Sequence, residues 1–114
     1  MEHNPATVTR YLSRLGRPDL AGASADVATL VALHRAHVGR IPYDTTRLVL
    51  GRPDPCDAAA AVGAFLAGRG GYCFHLNTGF GWLLRQFGYA VAFHRAGVQT
   101  PRDPGPVGAN GNHL

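Results

Sequence analysis

The stretch Arg69-Gly70-Gly71-Tyr72-Cys73-Phe74 places a cysteine just after a glycine-rich turn and at the start of an apolar run with helical spacing. A helix N-terminus presents unpaired backbone N–H groups and about half a positive charge, a setting that favours thiolate over thiol. Cys73 therefore has the position of a nucleophile. Forty residues on, Asn112-His113-Leu114 supplies a histidine that could serve as its base. An imidazole base is usually oriented by a third group, and no candidate for that group follows His113 in these 114 residues.

Other groups carry weaker signals. Cys56 lies in Pro53-Asp54-Pro55-Cys56-Asp57, between carboxylates that oppose a thiolate, and reads as an incidental loop cysteine. Free thiols are expected at both cysteines in a reducing compartment. His34 and His37 are three apart on one helical face, a spacing that can bind zinc. No second ligand pair of comparable spacing follows, so they read as hydrogen-bonded structural histidines, and no metal is expected.

The elements that position these groups follow from periodicity and caps. Asn4-Pro5 opens a helix in which Val8, Tyr11, Leu12 and Leu15 recur until Gly16. Ser24 is the expected cap of a second helix with Val27, Leu30, Val31, His34 and Val38 on one face, ended by Ile41-Pro42. Residues 41–50 read as extended or turn-like. A third helix is expected from Asp57 to Ala67, with Gly70 or Gly71 as its left-handed cap, and a fourth from Cys73 to Phe87 with a core stripe of Phe80, Leu83, Leu84 and Phe87. After Gly88 the alternation from Tyr89 to Arg95 predicts a first strand, running on to Val98. A glycine- and proline-rich loop follows, and residues 112–114 read as a second strand just starting.

Composition bounds the function classes. With 46% apolar and 16% charged residues, the chain is globular rather than disordered. All 11 basic residues are arginines, giving a net charge of +4, but they are scattered singly rather than clustered as a nucleic-acid surface would need. There is no apolar run of membrane-spanning length and no leader-like N-terminus, so the expectation is a cytoplasmic protein with no membrane and no nucleic-acid partner.

Three segments in this order, Leu33 to Asp44 with Ile41-Pro42-Tyr43-Asp44, then Arg69 to Asn77, then Asn112-His113-Leu114, resemble the arylamine N-acetyltransferases over nearly the whole chain. The resemblance implies an α+β fold with a papain-like arrangement of Cys on a helix N-terminus and His on a strand. A helical domain over residues 1–88 would carry the nucleophile, and residues 89–114 would begin a β-barrel domain. The chain then reads as the N-terminal portion of a longer protein, C-terminally truncated and by itself weakly active or inactive.

The implied chemistry is ping-pong transfer: Cys73 takes an acetyl group from acetyl-CoA, the acyl donor, and an arylamine or hydrazine then attacks the thioester. His113 would handle the amine's proton. Tyr43, Tyr72 and Val98 would line the acceptor pocket, and Asp44 with Arg69, beside Gly70 and Gly71, would pin the turn that carries the cysteine. Two departures from the family's usual wording stand out: Asp44 where many members have glutamate, and His75 where many have glutamate two places after the cysteine. The alternatives are a same-fold amide synthase that closes a macrolactam, a non-catalytic truncated remnant, and, more distantly, a cysteine hydrolase of transglutaminase-like or papain-like kind.

Overall fold

The structure, a computed structural model, describes residues 3–96. Five helices follow in order: α1 Pro5–Arg14, α2 Val27–Arg40, the single turn α3 Thr46–Val49, α4 Ala58–Leu66 and α5 Cys73–Phe87, with a short 3-10 turn Pro18–Leu20 after α1. The cap chemistry is local and repetitive. Asn4, Asp26 and Asp57 each accept, through their side chains, the backbone N–H three residues on, starting α1, α2 and α4. Each such cap contributes about 1 kcal/mol.

The helix ends share one device as well. Gly16, Gly68 and Gly88 adopt positive φ of 71°, 84° and 100° after α1, α4 and α5. At each end the next residue's N–H returns to a carbonyl of the last turn, Arg17 to Leu12, Arg69 to Ala64 and Tyr89 to Leu84. The left-handed cap of α4 is thus Gly68, and not Gly70 or Gly71 as its spacing had suggested.

The core joins α1, α2, α4 and α5 around Tyr11, Leu12, Leu15, Leu33, Ile41, Val62, Phe65, Trp82 and Leu83. Tyr11 stacks on Trp82 at 6.5 Å between ring centroids and meets Phe65 edge-on at 5.8 Å. Such pairs add to simple area burial. The α1 stripe and the core role of Leu83 stand as the periodicity predicts, with Phe80, Leu84 and Phe87 half-buried against the cluster. Arg14 reaches from α1 to the Phe65 carbonyl at 3.0 Å and closes the α1–α4 contact.

Three expectations are corrected. The cap of α2 is Asp26, because Ser24 uses its carbonyl to turn the chain by accepting the Asp26 N–H. The buried face of α2 is Thr29, Leu33 and His37, while Val27, Val31 and Val38 are exposed. Val27, Val31 and Val38 share one side of this helix and Thr29, Leu33 and His37 the other, so packing on Tyr11 and Phe65 selects the face and periodicity does not.

The third correction concerns the fold class. Among the described residues there is no sheet and no opening of a β-barrel; Tyr43 and Gly71 form an isolated parallel bridge. Residues 89–95, expected as a strand, form none. Side chains hold this segment to α5 instead: Arg85 donates to the Val91 carbonyl at 2.9 Å and lies over the Phe93 ring, which packs on Gly81. An alternating pattern becomes a strand only when a ladder partner takes its backbone groups.

Two glycine substitutions test this packing. A Cβ on Gly79 would meet the Phe65 ring at 2.4 Å, so Gly79→Ala is expected to destabilise by about 1–3 kcal/mol in urea unfolding. Gly63, exposed on α4 with nothing within 4 Å, should show the opposite sign: Gly63→Ala is expected to stabilise by about 0.5–1 kcal/mol.

Candidate active site around Cys73

Cys73 is the first residue of α5 and is buried. No side chain caps this helix start. The turn before it is fixed by its neighbours: the Gly71 N–H donates to the Pro42 carbonyl at 3.3 Å, and the Asp44 N–H donates to the Gly71 carbonyl at 2.9 Å. This reciprocal pair explains the two glycines. A Cβ on Gly70 would lie 1.9 Å from the Pro42 carbonyl oxygen, and one on Gly71 would lie 2.6 Å from the His75 Cβ. Both glycines allow close approach, leaving the cap of α4 to Gly68.

Among the described residues, Cys73 opens on a cavity of about 310 Å³ bordered by His34, His37, Val38, Tyr43 and Phe80. Tyr43 therefore borders the same cavity as Cys73. Tyr72 faces the other way: its ring packs edge-on against His75 at 4.5 Å, and its hydroxyl lies 3.4 Å from Cys56 Sγ. That contact, followed by burial and by the nearby Cys56, Cys73 and Tyr43 groups, pushes the Tyr72 phenol up to about 12. Both cysteines are free thiols, Cys56 exposed and Cys73 buried. Val98 and His113 lie outside the described residues.

His37 has two roles. Its Nδ1 is 3.2 Å from the Tyr11 hydroxyl and its ring stacks on Phe80 at 4.6 Å, as a structural histidine would. Yet it also borders the cavity with Cys73, and its Nε2 is buried without a hydrogen-bond partner. Burial, then the neighbouring His34, holds the imidazole down at about 4, against the opposing influence of the Leu76 backbone. The ring is neutral at physiological pH. Among the described residues no group of three or more His, Cys, Asp or Glu side chains is arranged to hold a metal ion.

The acid that meets Arg69 is Asp54. Its two carboxylate oxygens lie 3.6 Å from Arg69 and 3.6 Å from Arg47. Asp44, expected to make this pair, instead accepts the Thr46 N–H at 2.8 Å, and hydrogen bonding from the Thr46 side chain and then from its N–H lowers the Asp44 pKa. The carboxylate of aspartate is one methylene short of glutamate's reach and serves the start of α3. His75 joins the same loop: its Nε2 lies 2.8 Å from the Asp54 carbonyl oxygen and 3.8 Å from Cys56 Sγ. A carbonyl only accepts, so Nε2 carries the proton. Asp54 and His75 were not singled out as site residues by sequence. The available signal was Pro53 and Pro55, which stiffen the backbone on both sides of Asp54.

A family model described as N-acetyltransferase matches residues 26–114. The chain belongs to the N-acetyltransferase family. It is 36% identical over 88 residues to the arylamine N-acetyltransferase of Mycolicibacterium smegmatis, covering 71% of this chain and 30% of that one. It is 34% identical over 92 residues to proansamycin X synthase of Amycolatopsis mediterranei (strain S699), covering 77% and 35%. A third relative, the arylamine N-acetyltransferase of Escherichia coli (strain K12), is 33% identical over 85 residues, covering 74% and 30%. The chain thus spans about a third of the length of the curated relatives it matches. No solved structure matches it significantly. Among the described residues, no helix of this N-acetyltransferase chain is long and apolar enough to cross a membrane.

Two measurements check this geometry. Gly70→Ala must push the Pro42 segment away, and a loss of about 2 kcal/mol or more is expected in urea unfolding, whereas Gly22→Ala, strained only by its positive φ, should lose about 1 kcal/mol. His37 sets a pH dependence. The unfolded chain takes up its proton near 6.5, the folded chain only near 4, so stability is full above 6.5, falls as pH drops from 6.5 to 4, and levels off below. The loss is about 3 kcal/mol. Urea midpoints across that range should show this slope, and His37→Phe should flatten it.

Proposed function

We propose that Cys73 is the nucleophile of an acyl transfer from acetyl-CoA to an arylamine or hydrazine. The observation that carries this reading is the placement of a buried cysteine as the first residue of α5, at the edge of a cavity, in a chain of the N-acetyltransferase family. The Cys73 thiol gives its proton to a base, the thiolate attacks the acetyl carbonyl, a carbon–sulfur bond to Cys73 forms, and the bond to CoA breaks so that CoA leaves as its thiol with the proton that base returns. The amine nitrogen then attacks the Cys73 thioester. A carbon–nitrogen bond forms, the bond to Cys73 breaks, and the amine's proton passes to a base, the role the family resemblance gives to His113.

The free N–H groups of the first turn of α5 favour negative charge on the sulfur and on the oxygen of the tetrahedral intermediate. The cavity borders suit a flat, largely apolar acceptor, with Val38, Ile41, Leu76 and Phe80 supplying apolar surface and Tyr43 an amphipathic ring. Acetyl-CoA and the amine are substrates, and no resident cofactor or metal is needed for any of these steps.

Similarity to proansamycin X synthase favours a second reading, in which the same Cys73 thioester is opened by an amine carried on the acyl chain itself, closing a macrolactam. Both readings require the acyl-enzyme. Incubated with acetyl-CoA, the chain is expected to gain slowly a single acetyl group mapped by mass spectrometry to Cys73, and Cys73→Ser is expected to gain none. Acetylation that persists in Cys73→Ser would overturn both. Release of that acetyl group by a free arylamine supports the first reading. Cyclisation of an amine-bearing acyl thioester, with no transfer to a free arylamine, supports the second.

A further inference from the structure

We infer that Asp54 is a positioning residue for the nucleophile: its carboxylate and its carbonyl brace the chain on both sides of Cys73, at Arg69 before it and at His75 after it. This rests on the reading of Cys73 as the nucleophile. His75 meets this residue directly, while the Asp44 carboxylate is engaged at Thr46 and leaves Arg69 to it.

Four observations carry the inference. The Asp44 carboxylate is occupied with the Thr46 N–H at 2.8 Å, so the short acid is engaged at α3. The Asp54 carboxylate, only 21% exposed, divides its oxygens between Arg47 and Arg69, both at 3.6 Å. The buried His75 donates from Nε2 to the Asp54 carbonyl at 2.8 Å, a contact that solvent and salt screen little. Finally, the His75 ring lies directly on Gly71, where an added Cβ would stand 2.8 Å from Nδ1, so the ring is wedged between the cysteine's turn and the Asp54 loop.

The arrangement ties three segments together. Arg69 and Gly71 precede Cys73, His75 follows it by half a helical turn, and Asp54 lies between two prolines that limit its own backbone. A carboxylate alone, bound to half-exposed arginines, would be a weak anchor. The added carbonyl bond to a buried imidazole makes it a two-point hold, which fixes the direction of the first turn of α5 and so the aim of the Cys73 sulfur. Acyl transfer is sensitive to such aim, because the attacking atom must be held in a near-attack geometry.

The test is hydrogen–deuterium exchange of the 114-residue chain, comparing the peptide 69–76 with peptides from α1 and α2, beside the rate of Cys73 acetylation by acetyl-CoA. Asp54→Asn and His75→Leu are each expected to speed exchange in 69–76 about tenfold while α1 and α2 are unchanged. Asp54→Glu should restore slow exchange, and Asp44→Asn should affect only residues 44–50. Cys73 acetylation should fall in step with the exchange. Exchange in 69–76 that is unmoved by both Asp54→Asn and His75→Leu, moved by Asp44→Asn instead, or accelerated equally throughout the chain would overturn the inference. If the unaltered chain takes no acetyl group, the acyl-transfer reading fails, and the exchange pattern still decides whether Asp54 braces the turn.

Discussion

The structure depends on a two-way backbone contact. Gly71 gives its N–H to Pro42 and takes the N–H of Asp44, and this holds the segment after α2 against the turn before α5. The contact is possible only because residue 70 has no side chain. It sets where α5 begins, and hence that Cys73 occupies the first helical position. Everything nearby accommodates it. The chain leaves α4 through its own glycine at position 68, so that Gly70 and Gly71 are free for close approach. The polar groups of the flanking loop then gather around the result.

Behind this contact lies a core that mixes aromatic rings with a histidine. Tyr11, His37, Phe65 and Phe80 pack as a chain of ring contacts across α1, α2, α4 and α5. His37 is thus both a core residue and a border of the cavity at Cys73. Placing an imidazole there costs stability in acid, because burial disfavours its charged form. In exchange the cavity wall at His37 is neutral at physiological pH.

Membership of the N-acetyltransferase family fixes the class of chemistry more firmly than the details of support. At the level of individual residues the support is built on the loop that carries Asp54. The Asp44 carboxylate accepts from Thr46, Arg69 pairs with Asp54, and His75 finds the backbone carbonyl of that same residue. Cys56 shares this loop, with its sulfur beside the Tyr72 hydroxyl and the His75 ring. A loop that reads as a passive connector in sequence becomes the outer wall of the site.

What the sequence determined by itself was local. Asn4 and Pro5 starting α1, Gly88 ending α5, the stripe Tyr11, Leu12 and Leu15, and the place of Cys73 at a helix start all follow from caps and periodicity, which act over a few residues. Tertiary structure decided the rest. It chose Leu33 and His37 over the valines as the inner face of α2, because several faces of that helix are apolar and only packing against Tyr11 and Phe65 separates them. It left residues 89–95 without a strand, because a strand needs a partner that no local signal can supply. It gave Arg69 to Asp54 and not to Asp44, because a carboxylate pairs with whatever lies within reach in space, and reach depends on a fold that brings residue 54 beside residue 69.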